Sequence, residues 1–401
     1  MSLRYIGAII SATPPTVTPP SGGEGGSASG AWSLGTVIGY EATSGWPKPL
    51  ILRELWSWGF NNFGQLFLGN TTYYSSPVQA GALTTWSSIA AGQRHTVAIK
   101  TDGTLWSCGR NNFGQLGLGN ITNYSSPKQV GSLTTWSSAA GDYHTISVKT
   151  DGTLWTWGYN AYGQLGLGNT TNRSSPNQVG ALTTWSKVAC GSGYSIAIKT
   201  DGTLWGWGIN GNGNLGLGNI TYYSSPKQVG ALTTWSSIAC GEYQTLATKT
   251  DGTLWSWGLN SSGQLGLGDT TARSSPNQVG ALTTWSRVAG GESFSISTKT
   301  DGTLWTWGAN SNGQLGLGNT TNYSSPKQVG ALTTWSSVAC GQHYPLAIKS
   351  NGTLCSWGDN TYGQLGLGNT TFYSSPKQVG ALTTWRLISA AFASSIAIKR
   401  T

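Results

Sequence analysis

Apolar and polar positions alternate along residues 55–58, Leu55-Trp56-Ser57-Trp58, and again along residues 96–100, Thr96-Val97-Ala98-Ile99-Lys100. Alternation with period two predicts strands, because successive side chains leave a pleated backbone on opposite sides. Trp56 and Trp58 fall on one side and Ser57 on the other. Residues 77–80 and 86–90 have the same character, so about fifty residues supply four short strands. Between the 96–100 run and the next Leu-Trp run stands Thr101-Asp102-Gly103-Thr104. Asp-Gly in that place predicts a tight hairpin with positive φ at both turn residues.

The same pattern returns from Leu55, Leu105, Leu154, Leu204, Leu254, Leu304 and Leu354, at spacings of 50 residues except one of 49. The short step is a local deletion: Ser138-Ala139-Ala140-Gly141 stands against Ser88-Ile89-Ala90-Ala91-Gly92. A repeat of this length with four antiparallel strands is one propeller blade. The first copy opens on the second half of the hairpin, and the chain ends on its first half, Ser395-Ile396-Ala397-Ile398-Lys399. Pairing of residues 51–59 with the C-terminal strand would complete a blade and leave no open edge. The expectation is therefore an all-β, seven-bladed β-propeller of four-stranded antiparallel blades over residues 51–401. Its ring is closed by the N- and C-terminal strands in one blade, and residues 1–50 form an extended arm and tether.

Composition agrees: Gly numbers 59 of 401, Trp 21, and charged residues make up only 9%. The formal charge of +9 is spread with the repeat rather than gathered in a stripe, so nucleic acid is not an expected partner. Lys100, Lys149, Lys199, Lys249, Lys299, Lys349 and Lys399 recur at one strand end and predict a solvated ring, partly offset by Asp102, Asp151, Asp201, Asp251 and Asp301. Cys190, Cys240 and Cys340 share one repeat position and read as small core residues, while Cys108 and Cys355 stand where other copies have Trp. No metal ligands cluster, no cofactor motif is present, and no Ser-His-Asp set, carboxylate pair or acidic cluster can be picked out. A catalytic role is not expected. Asn70-Thr71-Thr72 and its equivalents have the form of glycosylation acceptors but read as turn residues.

The runs Ile89-Ala90-Ala91-Gly92-Gln93-Arg94-His95-Thr96-Val97-Ala98-Ile99, Asp102-Gly103, Trp58-Gly59 and Asn112-Phe113-Gly114-Gln115-Leu116-Gly117-Leu118-Gly119 resemble the regulator of chromosome condensation (RCC1) family of seven-bladed propellers. The resemblance covers residues 51–401. It implies the fold, and it implies as one possible function the exchange-factor role that the best-known members have toward a small nuclear GTPase. The family's His after Gly-x-x is met only at His95 and His144.

Three clusters differ among otherwise near-identical copies. One follows Trp-Gly and includes Phe60, Arg110 and Tyr159 with Phe63, Phe113, Tyr162 and Tyr362. A second precedes Ser-Ser-Pro and includes Tyr73, Tyr124, Arg173, Tyr223, Arg273, Tyr323 and Phe372. The third follows the signature glycine: Arg94, His95, Tyr143, His144, Tyr194, Tyr243, Gln244, Phe294, His343, Tyr344 and Phe392. Strand direction puts all three on one face, with the Asp-Gly turns on the other. Aromatic, amide and Arg variation over a fixed frame reads as a ligand-binding face, since Tyr and Arg give contact area at little ordering cost.

The first fifty residues differ in kind. A short apolar start, too brief to span a membrane, leads to Thr13-Pro14-Pro15-Thr16-Val17-Thr18-Pro19-Pro20, then Gly/Ser, then Trp32 and Trp46-Pro47. This arrangement is similar to leaders of some tailed-bacteriophage virion proteins. The leading functional expectation is accordingly a non-catalytic virion display protein. Its arm would hold virion subunits, and its variable face would hold a host-surface glycan or protein. An RCC1-type regulator or exchange factor of a small GTPase, acting in the cytoplasm, is the second reading, and a structural decoration or spacer of a virion the third.

Overall fold

The computed structural model describes residues 52–400, and the expectations for the N-terminal arm lie outside them. Twenty-eight strands form seven four-stranded antiparallel sheets. In the first blade the innermost strand is Trp86–Ala91, followed outward by His95–Lys100, Leu105–Gly109 and Tyr124–Gln129. The outer strand starts at its tyrosine rather than at the Ser-Ser-Pro proline. Its pairing resumes across an irregularity: Gly109 pairs with Tyr124, and Trp106 and Ser107 with Gln129 and Lys128. The proline is accommodated because this strand is the free edge of its sheet.

The Asp-Gly hairpin forms, but not as expected: only the glycine has positive φ, 78° at Gly103, while Asp102 does not. Gly103 N donates to Lys100 O and Lys100 N to Thr104 O, which makes a type I turn closed by a glycine bulge. A Cβ on Gly103 would lie 2.0 Å from Thr134 O of the connection to the next blade, so the position tolerates no side chain.

Closure of the ring is as the termini implied. The seventh blade runs Tyr74–Gln79, Arg53–Gly59, Ser394–Arg400, Trp385–Ala391, two strands from each end of the chain. The central pair is in register from Arg53↔Arg400 to Gly59↔Ser394 without interruption. Glu54 takes the place of the missing turn, accepting from Trp56 Nε1 at 3.0 Å and pairing with Lys399 at 3.1 Å.

Both faces of each blade are covered by its neighbours, so Ser57 is as completely buried as Trp58. Ser57 is satisfied by donating to Leu66 O. Successive blades are fastened by the second Trp of each Leu-Trp-x-Trp run: Trp157 Nε1 donates to Gln115 O of the preceding blade at 2.9 Å. The same bond recurs at Trp207, Trp257, Trp307, Trp357 and Trp58. Each indole lies so close to a glycine of that blade, Gly117 for Trp157, that a Cβ there would approach it to between 2.6 and 2.8 Å. One interface departs from this rule. Where Cys108 replaces the Trp, Phe67 replaces the glycine, and the two are buried together with Trp86 and Ala98.

The lysine ring is not solvated. Lys149 Nζ lies 3.6 Å from the centroid of Trp155 and 5.0 Å from that of Trp136, and Lys199, Lys249 and Lys299 repeat the arrangement. Burial against the indoles pulls these four ammonium groups below the ordinary lysine range. The aspartates do not pair with them. Asp151 instead accepts from Thr153 N and Oγ1, and Thr153 Oγ1 accepts from Trp155 Nε1. Cys190, Cys240 and Cys340 line the central channel rather than a closed core. Asn70 and its equivalents act as turn residues, with Thr72 N donating to Asn70 Oδ1.

Candidate functional site

Strand register places all three variable clusters at one end of the propeller. In the first blade Gly109 pairs with both His95 and Tyr124, so the Trp-Gly end, the Gly-x-x turn and the start of the outer strand share an end of the sheet. The opposite end carries the Asp-Gly turns and seven similar connections, each with an exposed leucine such as Leu83 or Leu232.

Not every variable residue reaches the surface. His95, His144, Tyr194, Gln244, Phe294 and Tyr344 are fully buried, and Phe60 nearly so, which removes them as direct ligand contacts. Apart from Phe60, which follows the third strand of the seventh blade, they stand at the start of the second strand in the first six blades and face the next blade. His95 Nε2 lies 2.8 Å from Thr145 Oγ1, which spends its own proton on Gln115 O. The ring nitrogen must therefore be the donor, and Nδ1 is left as a buried acceptor without a partner. His144 meets Ser195 in the same way. Tyr194 donates to Gln244 O, Gln244 to Phe294 O and Tyr344 to Ser394 O. These side chains are struts between blades.

The second cluster lies on the rim. Tyr124, Tyr223 and Tyr323 stack under Lys128, Lys227 and Lys327 of their own strands, Arg273 pairs with Asp269 at 2.6 Å, and Arg173 occupies the same place. Phe372 projects freely.

What remains, with Phe60 buried beneath it, assembles into one continuous arc over the third, second, first, seventh and sixth blades. Tyr222, Tyr162 and Tyr159 follow edge to face, with Tyr143 also against Tyr159, and Phe113 is 4.6 Å from Tyr159. Arg110 then stacks on Phe113 and Phe63, and Arg94 on Phe63, Phe60 and Phe392. Phe60, Tyr73, Tyr362 and Phe392 close the far end. The corresponding positions of the fourth and fifth blades hold Leu259, Ala309, Ser262 and Asn312, so the face has an aromatic side and a plain side.

Acidic residues gather at the channel mouth, contrary to the sequence reading. Asp142, Glu242 and Glu292 occupy equivalent turns of the second, fourth and fifth blades and line one cavity. Burial pushes the Asp142 carboxyl up to about 7. Burial, reinforced by Glu292, does the same for Glu242. Glu292 in turn lies 3.0 Å from His343 Nε2, which also places His343 at the channel rather than on the arc. Tyr243 stands beside this group, and burial, reinforced by the Glu242 charge, raises its hydroxyl above the ordinary tyrosine range. Each is the one acid at its own turn, and only the ring brings the three acids together. Among the described residues no group of three or more His, Cys, Asp or Glu is arranged to hold a metal ion, and no helix is long and apolar enough to cross a membrane.

These shifts give a signed pH dependence. A carboxyl raised to about 7 binds more protons folded than unfolded, so it removes stability as pH rises from about 4 to about 7. His95 and His144, lowered by burial to about 3, act in the opposite sense: they add stability as pH rises from about 3 to about 6.5. Asp142→Asn removes the first contribution alone. Urea melts at pH 5 and pH 7.5 should show the variant gaining on the parent at the higher pH; an equal difference at both would refute the buried acid.

Seven stretches match the model of the regulator of chromosome condensation (RCC1) repeat: 54–99, 102–148, 151–198, 201–248, 251–297, 301–348 and 351–398. The chain belongs to the RCC1 repeat family. Each RCC1 repeat begins with the third strand of one blade and ends with the second strand of the next, which is why the first and last repeats share the seventh blade. Among solved structures the chain is similar to human WBSCR16, at 21% identity and a TM-score of 0.78 over 86% of this chain and 98% of that one. It is similar also to Prp20p of Saccharomyces cerevisiae, at 21% identity and a TM-score of 0.77 over 87% of this chain and 92% of that one. The latter structure is described together with its binding to Gsp1p and histones, and another presents yeast RCC1 (Prp20) bound to Kap60. No curated protein matches the chain.

The virion display reading is corrected by these findings. RCC1 repeats along the whole propeller favour the alternative, RCC1-type reading over a particle component with host-surface ligands.

Proposed function

We propose that this chain is a non-catalytic regulator of the RCC1 type that works by binding a protein partner, with a small GTPase the first class to test. The observation that carries this reading is the unequal variable face: seven near-identical repeats present one aromatic and guanidinium arc, built at five blades and absent from two. Such surfaces supply anchors for protein recognition, because rigid rings and planar guanidinium groups lose little freedom when they bind. The family and the partners described for Prp20p point the same way. Catalysis is not required of the site: a regulator that speeds nucleotide release makes and breaks no covalent bond, and the carboxyls at the channel mouth need transfer no proton. Purified chain added to small GTPases loaded with a fluorescent GDP should accelerate loss of the nucleotide from one of them. Unchanged release across a representative panel would refute the exchange role.

A further inference from the structure

The geometry points to the partner's chemistry at this face: Arg94 and Arg110, both packed against the Phe63 ring, form a preordered receptor for a carboxylate-bearing peptide segment. This rests on the protein-binding reading above and sharpens it. The guanidinium carbons of both arginines lie 5.6 Å from the centroid of the Phe63 ring. Arg94 is also 5.0 Å from Phe392, and Arg110 5.4 Å from Phe113. Packing between rings restrains each guanidinium while leaving its terminal N–H groups free for an acceptor.

Those groups are unmet. The three ion pairs among the described residues involve Arg273, His343 and Lys399, so neither arginine has an acidic partner there. The Nε atoms of Arg94 and Arg110 are buried with no acceptor. Buried donors without partners are costly and rare in a native fold, and the terminal nitrogens of the same two half-buried side chains are the atoms an outside acceptor would meet. The backbone beneath adds a second sign: Phe392 holds φ at 43°, a left-handed conformation strained for a bulky residue, and strain of this kind collects at binding sites.

A planar two-oxygen acceptor matches the guanidinium fork, which selects a carboxylate. Phe113 and Tyr159 continue the platform and suit aromatic or aliphatic neighbours of that carboxylate. A long polyanion fits less well, because the channel mouth on the same face is lined by the carboxyls Asp142, Glu242 and Glu292 and offers no cation to continue its contacts. A short acidic segment of a protein occupies the arc without crossing that mouth.

Fluorescence anisotropy of the full chain with a labelled decapeptide alternating Glu and Tyr tests this, against the Gln-Tyr peptide and a deoxythymidine decamer. The acidic peptide should bind about tenfold or more tighter than its Gln counterpart, and salt should weaken it. Arg94→Gln with Arg110→Gln should cost a similar factor, and Arg94→Lys with Arg110→Lys most of it, since the fork is lost and the charge kept. Leu232→Ser on the opposite face should change nothing. Equal binding of the two peptides, or tighter binding of the oligonucleotide, would overturn the inference, and both comparisons use the unaltered chain. Nucleotide release without acidic-peptide binding sinks this inference and spares the regulator reading; peptide binding without release does the reverse.

Discussion

A chain ending at Phe392 should fail to fold as a cooperative monomer. The truncation removes Ser394–Arg400, the strand that pairs with Arg53–Gly59 along its whole length and with Trp385–Ala391 on its other side. Ile396 and Ile398 are each 1% exposed, and losing their burial alone costs about 3–6 kcal/mol. The two N-terminal strands of the seventh blade would lose their link to the innermost one, and a ring that depends on closure would gain two open edges. Together these losses rival the total stability of about 5–15 kcal/mol typical of a folded domain. Circular dichroism and thermal melting should show loss of the sharp transition, restored by a synthetic peptide of residues 394–401 in trans. A truncated chain that melts like the parent would mean that the seventh blade does not lock the ring.

The second large effect concerns the one interface that breaks the Trp rule. Phe67→Gly should cost about 3–5 kcal/mol, since it empties a buried phenyl site beside Cys108. The cost is partly relieved because Phe67 sits at φ 64°, where glycine is at ease. Cys108→Trp alone should also destabilise, because the indole must enter space that Phe67 fills. The double variant recreates the pair present at the other six interfaces, Gly117 with Trp157 among them. Its stability should therefore exceed the sum of the single effects by about 2 kcal/mol or more in a double-mutant cycle. Strict additivity in urea unfolding would show that the two substitutions are unrelated.

The same pair shows what the sequence made legible and what it did not. Repeat, blade count and closure followed from local signals, Asp-Gly turns and Leu-Trp runs, that recur at a fixed period. Contacts between blades did not follow, because they join residues about fifty positions apart whose side chains must be located on two different sheets. Cys108 read as a lone departure from Trp until Phe67 was found against it. His95, His144, Tyr194, Gln244 and Tyr344 looked like surface residues because they vary and are polar. Their variation instead reflects a buried site where different side chains reach the next blade. The signal that could have found them is the hydroxyl residue one position on in the next copy, Thr145 after His95 and Ser195 after His144. Glu242 and Glu292 were missed as a pair for the same reason, each being the one acid at its own turn, about fifty positions from the other. The lysine ring misled because the indoles that cover Lys149 come from two strands of its own blade.

With the struts removed from the variable set, the remaining face is sharper. Tyr159, Tyr162, Phe113, Phe63, Arg94 and Arg110 belong to one half of the ring, and the opposite end of the propeller repeats itself seven times. A protein partner that reads the arc would bind at one angular position out of seven. Nucleotide release from the responding small GTPase, measured with the parent chain, with Arg94→Gln plus Arg110→Gln, and with Leu232→Ser, tests that claim most directly. The account predicts acceleration by the parent and by Leu232→Ser, and its loss in the arginine variant. Acceleration lost in Leu232→Ser but kept in the arginine variant would place the working surface on the uniform face and contradict the account.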